Sequence, residues 1–271
     1  MSDINTDYDI LQEKITAMLE QHGARNEAMD GIFTRAITQD IGAMIDNDML
    51  NQDDIETAIS DLLKQLGSVT DHIAYQVLNR SQELIKVQQY FYDKHGFSLN
   101  LSKEYERLTA IQANTFDEFS GIPKDTGEAI RTMLSDNEVM GLGKDAINEE
   151  IRRIAGVTAS RAKLISGTSE QLYVGQFAAN KAKDLKVQKF QYKPDMIIKS
   201  SRPFTRWAIN DHGPIFTKTE LDAIDAKDWG SLPGIPLEDG DGWQGMIPGV
   251  PVLVQGGGYN SLHRFAMLFE F

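Results

Sequence analysis

The sequence predicts an α+β protein, a mainly helical N-terminal region followed by a small mixed α+β C-terminal domain. Three observations carry that expectation. Over the first 155 residues apolar side chains recur at three- and four-residue spacing, the period of a one-faced helix. Short runs rich in β-branched and aromatic residues appear only afterwards, as in Met196-Ile197-Ile198 and Phe265 to Phe269. Between Trp229 and Pro251 lie four of the eight prolines and many glycines, which predicts an ordered loop in place of regular structure. The boundary is drawn between a helical region, 1–155, and a C-terminal domain, 156–271.

The helical region reads as follows. Ile10, Leu11, Ile15, Met18 and Leu19 form one stripe, and Ile32, Ile37, Ile41, Met44 and Ile45 a second. Asn51 suits an N-cap, and Asp53, Asp54 and Glu56 set negative charge in the first turn, where the helix dipole favours it. Ile55, Ile59, Leu62, Leu63 and Leu66 continue from there. The stripe resumes at Ile73, Val77, Leu84, Ile85 and Phe91, with a bend or break expected at Gly67 and a stop at His95-Gly96. A helix from Ser102 carries Tyr105, Leu108, Ile111, Phe116 and Phe119 and is expected to end at Gly121-Ile122-Pro123. Shorter helices follow at 126–134 and 144–154.

In the C-terminal part, Thr158 caps an expected helix reaching Leu185. Val187, Phe190 and Tyr192, then Met196 to Ile198, predict two strands around the turn Lys193-Pro194-Asp195. Residues 203–211 and 217–226 read as helices, with Pro203 in a first turn. Val252-Leu253-Val254 and Phe265 to Phe269 read as strands.

Composition narrows the chemistry. With no Cys there are no disulfides, thiolate nucleophiles or Cys-type metal sites. No apolar run reaches the length of a transmembrane helix, and the acidic start, Met1-Ser2-Asp3, lacks the basic and apolar regions of a secretory signal. The net charge of -13 is uneven: -16 over 1–150, +9 over 151–206 and -6 over 207–271. Arg152, Arg153, Arg161, Lys163, Lys181, Lys183, Lys186 and Lys189 belong to the basic middle. That zone can contact DNA phosphates or an acidic partner, or can be a solvated helix face.

Three C-terminal pieces stand at fixed places. Ser201-Arg202-Pro203-Phe204-Thr205-Arg206-Trp207 leads to Asp211-His212-Gly213-Pro214. A helix start at Thr217-Lys218-Thr219-Glu220 leads to Trp229-Gly230. Gly256-Gly257-Gly258-Tyr259-Asn260-Ser261-Leu262-His263-Arg264 precedes an apolar finish. In order and spacing these resemble the C-terminal domain of the phage Mu F-like minor head proteins, over residues 156–271. Thr205 and Ser261 stand where that pattern has Cys, and Leu262 where it has Arg.

The resemblance implies a structural component of a tailed-phage virion, inside the capsid near the portal, acting in head assembly and in DNA packaging or delivery. It implies several copies per particle, contact with portal and other capsid or connector proteins, packaged double-stranded DNA as a further contact, and host cytoplasm as the place of assembly. Arg202, Pro203, Phe204, His212, Gly213, Trp229, Gly230, Gly257, Gly258, Tyr259, Asn260 and His263 would be framework residues. No catalytic, cofactor or metal residue is expected and no membrane partner. A hydrolase or transferase using His212, His263 and Arg202, and a DNA-binding module built on 152–206, are the alternatives.

The residues themselves weigh on these options. Gly256-Gly257-Gly258 lacks the spacing and the Lys-Ser/Thr of phosphate loops, and predicts a bulge or a close backbone approach. Asp211, His212, Ser261 and His263 hold the ingredients of a nucleophilic triad without the elbow around the Ser. His212 beside Gly213-Pro214 is expected to brace the turn by satisfying a backbone carbonyl. Arg202 and Arg206, four apart, suit a carboxylate such as Asp211 or a phosphate. Trp207, Trp229 and Trp243 are expected to pin irregular segments to the core.

Overall fold

A computed structural model of the chain describes residues 3–46, 52–97, 101–135, 144–193, 202–226, 246–247, 249–256 and 263–269. Five helices open it: α1 (Ile4–Asn26), α2 (Ala28–Asp46), α3 (Gln52–Lys94), α4 (Leu101–Ser135) and α5 (Lys144–Asp184). Then come β1 (Lys189–Lys193), α6 (Pro203–Asn210), β2 (Ile215–Thr217), α7 (Lys218–Asp225), the short α8 (Val252–Gln255) and β3 (Arg264–Leu268). The α+β expectation holds: the described chain is mostly helical with one three-stranded antiparallel sheet near its end. The order is β2-β1-β3, with Phe190 opposite Phe216 on one side and Met267 on the other.

Two compact units share the long helices. One contains 1–20, 80–108 and 167–271, and the other 21–79 and 109–166. The boundary drawn at 155/156 falls inside α5, which runs on through Thr158. That residue is no cap: its hydroxyl donates to Ile154 O at 3.0 Å and meets the Thr126 hydroxyl at 3.0 Å, both buried.

The unit formed by 21–79 and 109–166 is a helical bundle around Phe33, Ile37, Ile59, Leu62, Phe119 and Ile130, all essentially without solvent contact. Here the helical stripes fix the structure, and each buried side chain of this size contributes roughly 1.5–3 kcal/mol. The same packing overrides two expected interruptions. Gly67 does not break α3, and Pro123 sits inside α4. A proline in a helix interior costs about 3 kcal/mol or more. Phe119, Ile122, Ile130 and Met133 on both sides of it are buried on one core, which outweighs that cost.

The other unit holds the sheet. Its stretch of α3 stops where the sequence predicts: Gly96 takes φ 73, Gly96 N–H reaches Asp93 O at 3.2 Å, and Phe97 N–H reaches Tyr92 O at 2.9 Å. Those are the two bonds of a glycine-ended helix. Val252-Leu253-Val254, expected as a strand, is instead the helical turn α8. The Asp225 carboxylate accepts from Val252 N–H at 2.7 Å and so caps it, against the β preference of its two valines. Gly175 on α5 lets α8 approach, since a Cβ there would lie 1.8 Å from Val254 O. The expected strand at 196–198, the Lys193-Pro194-Asp195 turn, Asn51 as a cap and most of the 229–251 loop lie outside the described residues.

Candidate functional site

The residues that the sequence singled out near the C-terminus build one ring-stacked framework around the sheet. Pro203 opens α6 at its first turn, which presents Phe204, Thr205, Trp207 and Ala208 to the interior. Phe204 packs edge-on against Tyr192 of β1 with ring centres 5.5 Å apart. The Thr205 hydroxyl, standing at one of the motif's Cys positions, bonds the Tyr192 hydroxyl at 3.0 Å in the buried interior. Burial drives the Tyr192 phenol well above its ordinary pKa, against the smaller opposing effects of Thr205 and Arg202.

His212 braces its turn as expected. Its Nδ1 lies 2.8 Å from Gly213 O, and because a carbonyl only accepts, that nitrogen carries a proton. The ring lies flat on Phe216 of β2, centres 4.0 Å apart at 6°, and tilts against Trp207 at 5.0 Å. Its Nε2 is 3.5 Å from the Glu220 carboxylate. Glu220 in turn closes a capping box with Thr217, accepting from the Thr217 N–H at 2.7 Å while the Thr217 hydroxyl accepts from the Glu220 N–H. Burial alone would raise the Glu220 carboxyl; the Thr217 donors and the His212 ring outweigh it and hold the group below its usual range.

His263 stacks on Tyr192, centres 5.3 Å apart at 14°. Tyr192 and Phe216 touch at 6.4 Å, so the two histidines belong to one cluster, each on its own aromatic partner. Gly256 meets the prediction of a close backbone approach: at φ 57, a Cβ would lie 2.1 Å from His263 O. Arg202 is the N-cap residue of α6, and Trp207 is fully buried. Trp229, Gly230, Trp243, Gly257, Gly258, Tyr259, Asn260 and Ser261 lie outside the described residues.

The basic middle is largely engaged within the fold. Arg153 grips Glu150 at 2.8 Å, Arg161 pairs with Asp125, and Lys163 meets Glu27 and Asp30. Lys181 is buried against Glu104 at 3.1 Å. Lys189 sits half-buried on β1, while Arg152, Lys183 and Lys186 are exposed. The acidic excess of the N-terminal half thus faces part of the basic zone inside each unit. A sequence-level charge gradient cannot separate that arrangement from a nucleic-acid surface.

Two features escaped the sequence reading. Arg264, at the edge of the apolar finish, is buried and donates to Gln12 O, Gln12 Oε1 and the Thr16 hydroxyl of α1. Burial lowers its pKa to about 10, so it stays charged at neutral pH. A lone cation opening a run of Phe-Ala-Met-Leu-Phe was the signal. The second is a groove of about 530 Å³ walled by the end of α5, β1, α7 and α8, whose parts lie too far apart in sequence to suggest it.

Among the described residues no three His, Asp or Glu side chains are placed to hold a metal ion, and no helix is long and apolar enough to cross a membrane. Comparison of the chain with known protein families, with curated proteins and with solved structures finds no match.

Proposed function

We propose that this chain is a structural minor head component of a tailed phage, inside the capsid near the portal and acting by binding in head assembly and in DNA packaging or delivery. The reading rests on the motif order of the C-terminal third. One observation supports it above the enzyme alternative: His212 and His263 are spent on ring stacking and turn bracing. His212 has a stacked partner at 4.0 Å and a carbonyl at 2.8 Å, and His263 a stacked partner at 5.3 Å. A general base needs a ring nitrogen within reach of a substrate proton; a ring held between Trp207, Phe216 and Glu220 serves position instead. Partner docking falls to other surfaces of the molecule, and DNA contact to those cations of the basic zone that the fold leaves exposed.

The test is mass spectrometry of purified, nuclease-treated particles from a lysate that expresses the chain. The reading requires the polypeptide at a fixed copy number alongside portal and capsid proteins. Its confinement to the particle-free supernatant would end the proposal.

A further inference from the structure

The end of α5 adopts a conformation that its residue type disfavours. Lys186 has φ 55, the one non-glycine residue with positive φ among the described residues. Its N–H reaches Lys183 O at 3.2 Å and the Val187 N–H reaches Ala182 O at 2.9 Å. This is the two-bond helix ending whose left-handed position is ordinarily glycine. A side chain retained there at a cost directs attention to what it faces.

Lys186 lines the groove of about 530 Å³, a volume in the range of ligand-holding clefts. The floor is apolar: Val187, Phe190, Leu221, Leu253 and Val254. From the end of α5 come Lys183 and Lys186. Neither lysine side chain meets a carboxylate among the described residues. From α7 come Lys218, neutralised by Asp222, and Asp225, which caps α8. The groove therefore combines two lysines from α5, the carboxylates of α7 and an apolar lining.

From this arrangement we propose that the groove docks a peptide segment of a partner protein, one that sets an apolar side chain on the floor and a carboxylate against Lys183 and Lys186. A single negative charge on an apolar-flanked group fits: a phosphate dianion would gain nothing from the apolar floor and would lie near the Asp225 carboxyl. A peptide also brings backbone N–H groups for the remaining oxygens of Asp222 and Asp225, which a fatty acid lacks. The inference stands on the groove alone and holds whether or not the chain belongs to a virion.

The test is amide NMR on the full isotope-labelled chain, titrated with acetyl-leucyl-valyl-glutamyl amide, its glutaminyl counterpart, and octanoate. The glutamyl peptide should shift Val187, Leu253 and Val254 saturably, and the neutral peptide should bind about tenfold more weakly through loss of the charge-assisted contacts. Lys183→Gln, on an exposed helix position, should weaken the glutamyl peptide with an unchanged circular dichroism spectrum. Lys186→Gly is the decisive variant, since it relieves the backbone and removes the cation together: melting temperature should rise while binding falls. Undiminished binding by Lys186→Gly, equal binding of the two peptides, or no saturable shift at the groove overturns the proposal. Octanoate binding as tightly as the glutamyl peptide overturns its peptide character.

Discussion

The Asn5 side-chain amide ties down the residue that follows β3: its Nδ2 donates to Phe269 O and its Oδ1 accepts from Phe269 N–H, both at 2.9 Å. One amide group thereby satisfies both backbone groups of the residue just past an outer strand of the sheet. The other outer strand, β2, is only three residues long, and Glu220 occupies the N–H of its last residue, Thr217.

Asn5→Ala should cost about 1–2 kcal/mol, because two backbone groups lose their partner in a part-buried setting. Asn5→Asp retains the acceptor and loses the donor, so its urea midpoint should fall between wild type and the alanine variant. An aspartate variant no better than alanine would show that the paired geometry contributes nothing.

Arg264→Met should destabilise the unit containing the sheet by roughly 2–3 kcal/mol. Methionine fills most of the volume but leaves Gln12 Oε1 and O and the Thr16 hydroxyl without their donor. A denaturation midpoint within error of wild type would remove Arg264 as the tie between β3 and α1.

Two glycines of α5 should respond with opposite sign to alanine. At Gly156 nothing lies within 4 Å of an added Cβ, so the better helix propensity should add about 0.8–1 kcal/mol. At Gly175 the Cβ would collide with the Val254 carbonyl. That forces α8 away and costs about 1–3 kcal/mol despite the same propensity gain. Thermal melts of the two variants side by side decide it.

Glu220 gives an acid-limb signature. Its folded pKa is depressed, so its carboxylate contributes stability above the unfolded value of about 4.3, and that contribution disappears as pH falls through the lower folded value. Glu220→Gln should therefore melt below wild type at pH 7, and the gap should narrow as pH drops beneath about 4. A gap that does not change with pH would place the capping contribution in the backbone geometry instead of the charge.

The helices were legible because their stripes are long and one-sided: Ile59, Leu62, Leu66, Ile73 and Val77 are all buried as the spacing demands. The turn chemistry at His95-Gly96, Pro203 and Thr217-Glu220 was legible for a different reason. Caps act through atoms a few residues apart, at most the five from Tyr92 to Phe97, so the sequence contains both partners. Pro123 and Gly67 misled because local cost was set against packing from helices distant in sequence. Val252-Leu253-Val254 misled because its cap, Asp225, lies 27 residues away. Within the framework, the turn-bracing role of His212 was readable from Gly213-Pro214. Its stacking on Phe216 was not, since β2 is too short to leave a periodic trace.

The sheet-bearing unit is assembled from 1–20, 80–108 and 167–271, whereas its companion needs nothing beyond Ser166. During translation the companion can therefore fold while the ribosome is still making the rest. The first helix docks on residues far apart in sequence: Asp7 and Tyr8 meet Lys94, His95 and Phe91 of α3 and its end, whereas Asn5, Gln12 and Thr16 also bond Phe269 and Arg264. A chain held on the ribosome before Arg264 emerges would have its leading helix seated on α3 alone, without the polar tie that later joins it to β3.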